Sequence, residues 1–86
     1  MFYVYILQSL KDYRLYTGYT SDLQKRLEEH QAGKVLSTKH RLPIKLIYFE
    51  ACVNKVDALR TEKYLKTTYG KRYLKNRLKN YFNNIK

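Results

Sequence analysis

Five side chains along this sequence could together handle a phosphate: the phenols of Tyr5 and Tyr16, the Arg26 guanidinium, the His30 imidazole and, further on, the Glu62 carboxylate. The tyrosines stand in two triplets, Tyr3-Val4-Tyr5 and Tyr16-Thr17-Gly18, each inside a strand-like run, and the second leads into a helix carrying Arg26 and His30. Arg26 follows Tyr16 by ten positions. Arg26 and His30 are one helical turn apart, so they share a face. Gly18 lets backbone approach a ligand or packing partner with no Cβ in the way. With the helical carboxylate Glu62 added, the set could hydrolyse a phosphodiester.

The elements that would position these groups are legible from pattern. Residues 2–8, dense in aromatic and β-branched side chains, predict a strand. Ser9 to Tyr13 is polar and turn-like, and Arg14 to Tyr19 resumes β character, so residues 2–19 read as a hairpin with a loop of about five residues. Neighbours across such a hairpin approach to about 5 Å, which would join Tyr5 to Tyr16 where the register pairs them. Ser21-Asp22-Leu23-Gln24 has the form of a capping box, with a Ser cap and Asp22 in the first turn. Leu23 and Leu27 share a face and Gly33 is a left-handed stop, predicting a helix over 22–32. Lys34 to Pro43 is a basic loop containing Thr38, Lys39, His40 and Arg41.

Ile44 to Cys52 is apolar enough for a strand buried on both faces, expected at the centre of the sheet or as its best-covered member. Asn54 can cap a second helix with Val56, Leu59, Lys63 or Tyr64, and Leu65 on its inner stripe, ended by Gly70. A third helical stretch over about 71–82 places Leu74, Leu78, Tyr81 and Phe82 along one side. The order is β-β-α-β-α-α, an α+β arrangement in which a small three-stranded, mostly antiparallel sheet is flanked by helices.

A chain of 86 residues has room for one domain over 1–86. So short a chain buries only about 60–65% of its unfolded surface, so its stability should be modest. Ten Tyr and no Trp suggest rings half in the core with phenols at the surface. Eighteen Lys and Arg against seven Asp and Glu give a net charge of +11. That excess favours a polyanionic partner, nucleic acid first, against the blander reading of a solubility surface. Residues 55–86 alone carry ten Lys and Arg against Asp57 and Glu62. Cys52 is the only cysteine, which excludes an internal disulfide and a Cys-rich metal site and reads, among Leu46, Ile47, Tyr48 and Phe49, as a buried inert thiol. Met1 runs straight into strand-like sequence rather than a signal peptide, and no apolar run approaches the roughly 18 residues needed to span a bilayer. A cytoplasmic chain without membrane association is expected.

The spacing resembles the GIY-YIG nuclease superfamily: Tyr3-Val4-Tyr5 stands where the first triplet would be and Tyr16-Thr17-Gly18 where the second would be, with Arg26, His30 and Glu62 at matching offsets. Tyr-Val-Tyr-Ile-Leu and Leu-Tyr-Thr-Gly-Tyr-Thr look most like its small single-domain branch, which is similar to the nuclease module of the bacterial excision-repair protein UvrC without its other domains. The resemblance covers residues 2–66 closely and 67–86 loosely. It implies in-line attack by water on a DNA phosphodiester with one divalent cation, Mg²⁺ or Mn²⁺, bound by Glu62. A single carboxylate suits Mg²⁺, which keeps several waters and takes another ligand from the phosphate. On the same reading Arg26 pairs with the phosphate through its fixed fork of donors. Tyr5 and Tyr16 position or deprotonate the water, with the base usually at the second triplet, here Tyr16, and His30 holding a phenol or phosphate. A phenol of pKa about 10 needs nearby cations to act as a base at neutral pH; Arg26 and the metal could lower it. Two departures stand out. The first triplet is Tyr-Val-Tyr rather than Gly-Ile-Tyr, and Tyr19 replaces a Lys that often follows the second, removing one phosphate contact. A late Asn is also common near the metal, and Asn76 is the candidate here.

Each residue has a plainer explanation. Tyr5 and Tyr16 could be ordinary strand aromatics, Arg26 a solvated partner of Glu29 or His30, and His30 a partner for the helix dipole. Glu62 has Lys66 four residues on as a surface pair. Lys34, Lys39, His40 and Arg41 could contact phosphate or merely be solvated. The leading expectation is a metal-dependent endonuclease, structure- or strand-selective, with DNA ahead of RNA and a setting in repair or recombination. The alternatives are a basic nucleic-acid-binding module with this fold and little or no cleavage, or a subunit recruited by a partner that supplies specificity. Nothing resembles a reader of base edges, so backbone and shape recognition is expected.

Overall fold

The aromatic and β-branched run at the N-terminus becomes β1 (Phe2–Ser9), and hydrogen-bonded neighbours flank it on both sides. In this computed structural model, which describes residues 1–84, β2 (Leu15–Thr20) and β3 (Ile44–Cys52) pair antiparallel with β1, giving the order β2-β1-β3. The helices are α1 (Leu23–Gln31), α2 (Lys55–Leu65), α3 (Thr68–Arg77) and α4 (Lys79–Asn84), with a short 3-10 turn at Lys39–Arg41. The fold is α+β in the expected order, its sheet wholly antiparallel and its last helical stretch divided in two.

Side chains alternate across β1, so each face of the sheet gathers its own core. Val4 and Ile6 pack with Ala58 and Leu65 of α2 and Leu74 of α3. Tyr5 and Leu7 look the other way, packing with Ile44 and with Leu23 and Leu27 of α1. Val4, Tyr5, Ile6 and Leu7 are all fully buried, which is what a strand covered on both faces and both edges should show.

Several expectations are corrected here. β3 is an edge strand, with Lys45, Phe49 and Ala51 exposed; helices cover parts of both sheet faces, so an apolar run does not require a central position. The cap of α1 is Asp22, which accepts from the Lys25 backbone N–H, rather than Ser21. The inner face of α2 carries Ala58 and Leu65, whereas Val56 and Leu59 are exposed. Gly70 does not end α2 but lies buried inside α3, where a Cβ would strike the backbone of Tyr64 and Leu65. Helix α2 ends at Leu65, and the Thr67 hydroxyl then caps α3 by accepting from the Gly70 N–H. The stretch expected over 71–82 is broken at Leu78, whose backbone leaves helical geometry. Gly33 does follow α1 in the left-handed region, φ 74°. Cys52 is half-buried, and its thiol is free. Among the described residues no helix is long and apolar enough to cross a membrane.

Candidate active site

The hairpin register sets Tyr5 opposite Gly18 and Tyr16 opposite Leu7, so the two tyrosines are diagonal neighbours rather than a direct pair. Their rings still meet on one sheet face, centroids 6.3 Å apart. With only hydrogen at Gly18, the Tyr5 ring lies flat across that position; an added Cβ would overlap the ring's outer end.

Helix α1 brings His30 into the same space. Its ring meets Tyr5 edge-on at 5.6 Å and Tyr16 at 5.3 Å. The Tyr5 hydroxyl lies 2.9 Å from His30 Nε2, and His30 Nδ1 lies 2.7 Å from the Thr38 hydroxyl. Both His30 and Thr38 are buried. Burial, and then the positive charge of Arg26, hold the imidazole below its ordinary pKa. A neutral ring has one N–H and one lone pair, so Tyr5, His30 and Thr38 form a chain in which one ring nitrogen donates and the other accepts.

Arg26 stands one turn before His30, and the Tyr5 phenol chiefly, with Glu29 and Tyr16, pushes its guanidinium above its ordinary pKa against the effect of burial. Its Nη1 also donates to Glu29 at 3.2 Å. Burial pushes the Tyr5 phenol above its ordinary pKa; Arg26 pulls against this, while Tyr16 and Glu62 add to the rise. The fully buried Tyr5 is therefore a proton holder rather than a ready base. Tyr16 is only half-buried and borders, at the β2 edge, a groove of about 870 Å³.

Glu62 lies near enough to Tyr5 for its charge to be felt at that phenol. Its half-buried carboxylate pairs with Lys66 at 3.5 Å, and Lys66 lines the same groove as Tyr16. Among the described residues no three His, Cys, Asp or Glu side chains gather into a metal cage, which does not fit zinc. A lone carboxylate beside a cationic groove does fit Mg²⁺ or Mn²⁺ held by one protein ligand, waters and substrate phosphate. Glu62 would be the residue to hold such an ion.

The remaining candidates separate. Arg41 is half-buried and lines the groove with Tyr16, its carbonyl fixed by the Ser9 hydroxyl at 2.7 Å. Lys34, Lys39 and His40 are exposed and not among the groove's lining residues. Asn76 is exposed on α3. Tyr19 points to the opposite sheet face, where it stacks on Phe2, so its ring is core and not part of the phenol cluster. Thr38 had no role assigned from sequence. A hydroxyl eight residues from a histidine carries no local signal, and only the folded loop brings it to Nδ1.

Comparison with known proteins gives a family match consistent with this geometry. Residues 1–76 match the model of the GIY-YIG catalytic domain. The chain is 48% identical over 61 residues to a UPF0213 protein of Streptococcus pyogenes serotype M3, covering 70% of this chain and 65% of that protein. A UPF0213 protein of Streptococcus agalactiae serotype V is likewise 48% identical over 61 residues, covering 70% and 68%. The match thus spans about two thirds of the length of these relatives. The solution NMR structure of a UPF0213 protein from Bacillus halodurans superimposes with a TM-score of 0.53 at 38% identity, covering 86% of this chain and 82% of that one.

Proposed function

Because the chain belongs to the GIY-YIG family of nucleases, we propose that it is a metal-dependent endonuclease hydrolysing DNA phosphodiester bonds. The observation that carries this reading is the meeting of Tyr5, Tyr16, Arg26 and His30 at one point, with Glu62 close enough for its charge to act there. Ordinary strand aromatics would not need a buried imidazole bridging a phenol and a hydroxyl.

Arg26 binds a non-bridging oxygen of the scissile phosphate through its fork of donors, a geometry Lys could not copy. Tyr16, the less buried of the two phenols, orients the attacking water and takes its proton. Tyr5 holds Arg26 and, with His30 and Thr38 behind it, keeps that guanidinium from turning away. Glu62 would hold a divalent cation in place of its contact with Lys66. When bound, that ion supplies positive charge to the phosphate and the leaving oxygen. Selectivity for strand or DNA structure, a setting in repair or recombination, and a protein partner that adds specificity complete the reading.

The test is incubation of nicked, branched and single-stranded DNA with Mg²⁺ or Mn²⁺, comparing wild type with Glu62→Ala and Arg26→Ala. Cleavage lost in both variants with DNA binding retained supports the enzyme. Salt-sensitive binding with no cleavage by wild type would instead leave a binding module on a nuclease fold.

A further inference from the structure

The groove beside Tyr16 runs along the free edge of β2 to α3 and α4. We infer that it is a track for an unpaired nucleic-acid strand, running along the β2 edge on which Tyr16 stands. The inference rests on the nuclease reading for its direction but not for its chemistry.

Five cations line the groove, Arg14, Arg41, Lys66, Lys71 and Lys75, and among the described residues no carboxylate lines it, Glu62 reaching only Lys66. They come from three separate pieces of chain: the hairpin turn, the 3-10 turn and the α2–α3 segment. Such a convergence of one sign of charge selects a polyanion. Duplex DNA would be satisfied by a convex row of cations meeting phosphates, because its bases stay stacked inside. This groove has something a duplex cannot use, an apolar floor of the half-buried Leu15 and Phe82. An unpaired strand can lay its bases on such a floor and on aromatic faces while its phosphates take the cations on the rim.

Tyr13 supplies an independent observation. It lines the groove with φ 61°, the left-handed region that Gly or Asn normally occupies in a turn. A bulky side chain there costs free energy, yet the turn is held by the Tyr13 N–H donating to Ser9 O and by Gln8 Nε2 donating to Tyr13 O. The result is an aromatic ring 58% exposed beside the cations. An exposed ring held in so strained a turn is what a stacking platform for a base requires.

The test is fluorescence anisotropy of the wild-type chain in chelator, which removes metal-dependent cleavage. The probes are a labelled oligonucleotide of about 12 nucleotides, a length within the range of single-strand site sizes, and its duplex. The single strand should bind at least about tenfold tighter. Lys71→Glu with Lys75→Glu should erase that preference. Tyr13→Ala and Phe82→Ala should each weaken the single strand by about tenfold, the effect of one lost base stack, while leaving duplex affinity unchanged. Because Lys71, Lys75 and Tyr13 are exposed, circular dichroism should show these variants folded. Equal affinity for strand and duplex, or a preference surviving the charge reversals, overturns the inference even if the wild type cleaves DNA. Strand preference without cleavage in Mg²⁺ or Mn²⁺ sustains it and refutes the nuclease reading instead.

Discussion

The Tyr5 hydroxyl and His30 Nε2 lie 2.9 Å apart in the protein interior, joining the central strand to the first helix. This hydrogen bond gives Tyr5 a structural duty that Tyr16 does not share. Tyr5→Phe strips His30 of a partner inside the core, which should cost about 1–3 kcal/mol. Tyr16→Phe removes a hydroxyl from a half-exposed ring and should change stability by less than about 0.5 kcal/mol. If Tyr16 is the base, its loss should still slow cleavage by about 10²–10⁴-fold. Urea denaturation and single-turnover cleavage of both variants check this; equal destabilisation of the two would contradict the assignment.

The lowered pKa of His30 makes stability depend on pH in a definite direction. In the unfolded chain the imidazole titrates near its ordinary value of about 6.5, whereas burial lowers its proton affinity in the folded state. Below about pH 6.5 the unfolded state therefore binds more protons, and stability falls as pH drops, until the folded ring itself protonates. Asp12, whose carboxyl is held low chiefly by the Arg14 backbone N–H, loses its contribution only below about pH 4, so the two windows are separate. Urea midpoints at about pH 7.5 and 5.5 should differ for wild type and much less for His30→Gln. An equal pH response in both chains would remove His30 as the cause.

Gly18 fixes where Tyr5 can lie. The Ala Cβ of Gly18→Ala would overlap the far end of the Tyr5 ring, and that ring cannot swing aside without leaving His30. Overpacking of this kind should cost about 1–3 kcal/mol and also reduce cleavage, because the displaced phenol no longer supports Arg26. In a Tyr5→Phe background His30 no longer restrains the ring, so the activity cost of Gly18→Ala should shrink. A double-mutant cycle on cleavage rate measures this coupling; simple additivity would mean that Gly18 acts by another route.

Much of this site was readable because its residues lie on elements with strong local signals. The hairpin followed from Phe2–Gln8 and Arg14–Tyr19, and the placement of Arg26 with His30 from helical spacing. What escaped depended on tertiary contacts. Ser21 and Asp22 are both good caps, and which of them closes α1 is decided by the chain's entry from β2. The apolar run of β3 fits a central strand as well as an edge strand, and only the pairing of β1 with both neighbours decides. Gly70 looks like a terminator in sequence, yet it exists to let α3 touch the end of α2. In the basic loop the residue buried against His30 is none of the charged ones but the uncharged Thr38, which carries no local signal.

Thr38 is therefore the residue whose substitution separates placement of the site from its chemistry. Its hydroxyl is the partner of His30 Nδ1, and the partner on one ring nitrogen sets the tautomer at the other. Thr38→Val keeps the shape but leaves Nδ1 unsatisfied in the interior, at about 1–3 kcal/mol. With the tautomer no longer fixed, Nε2 can meet Tyr5 as donor or acceptor, and Tyr5 loses its single orientation against Arg26. Cleavage should then fall by about tenfold or more through kcat, because Thr38 acts only through His30. KM for DNA should stay unchanged, since Thr38 is buried away from the groove surface. Thr38→Ser, which restores the hydroxyl, should recover most of the rate. A Thr38→Val chain as destabilised as expected but cleaving at the wild-type rate would show that the Thr38–His30 contact serves folding alone.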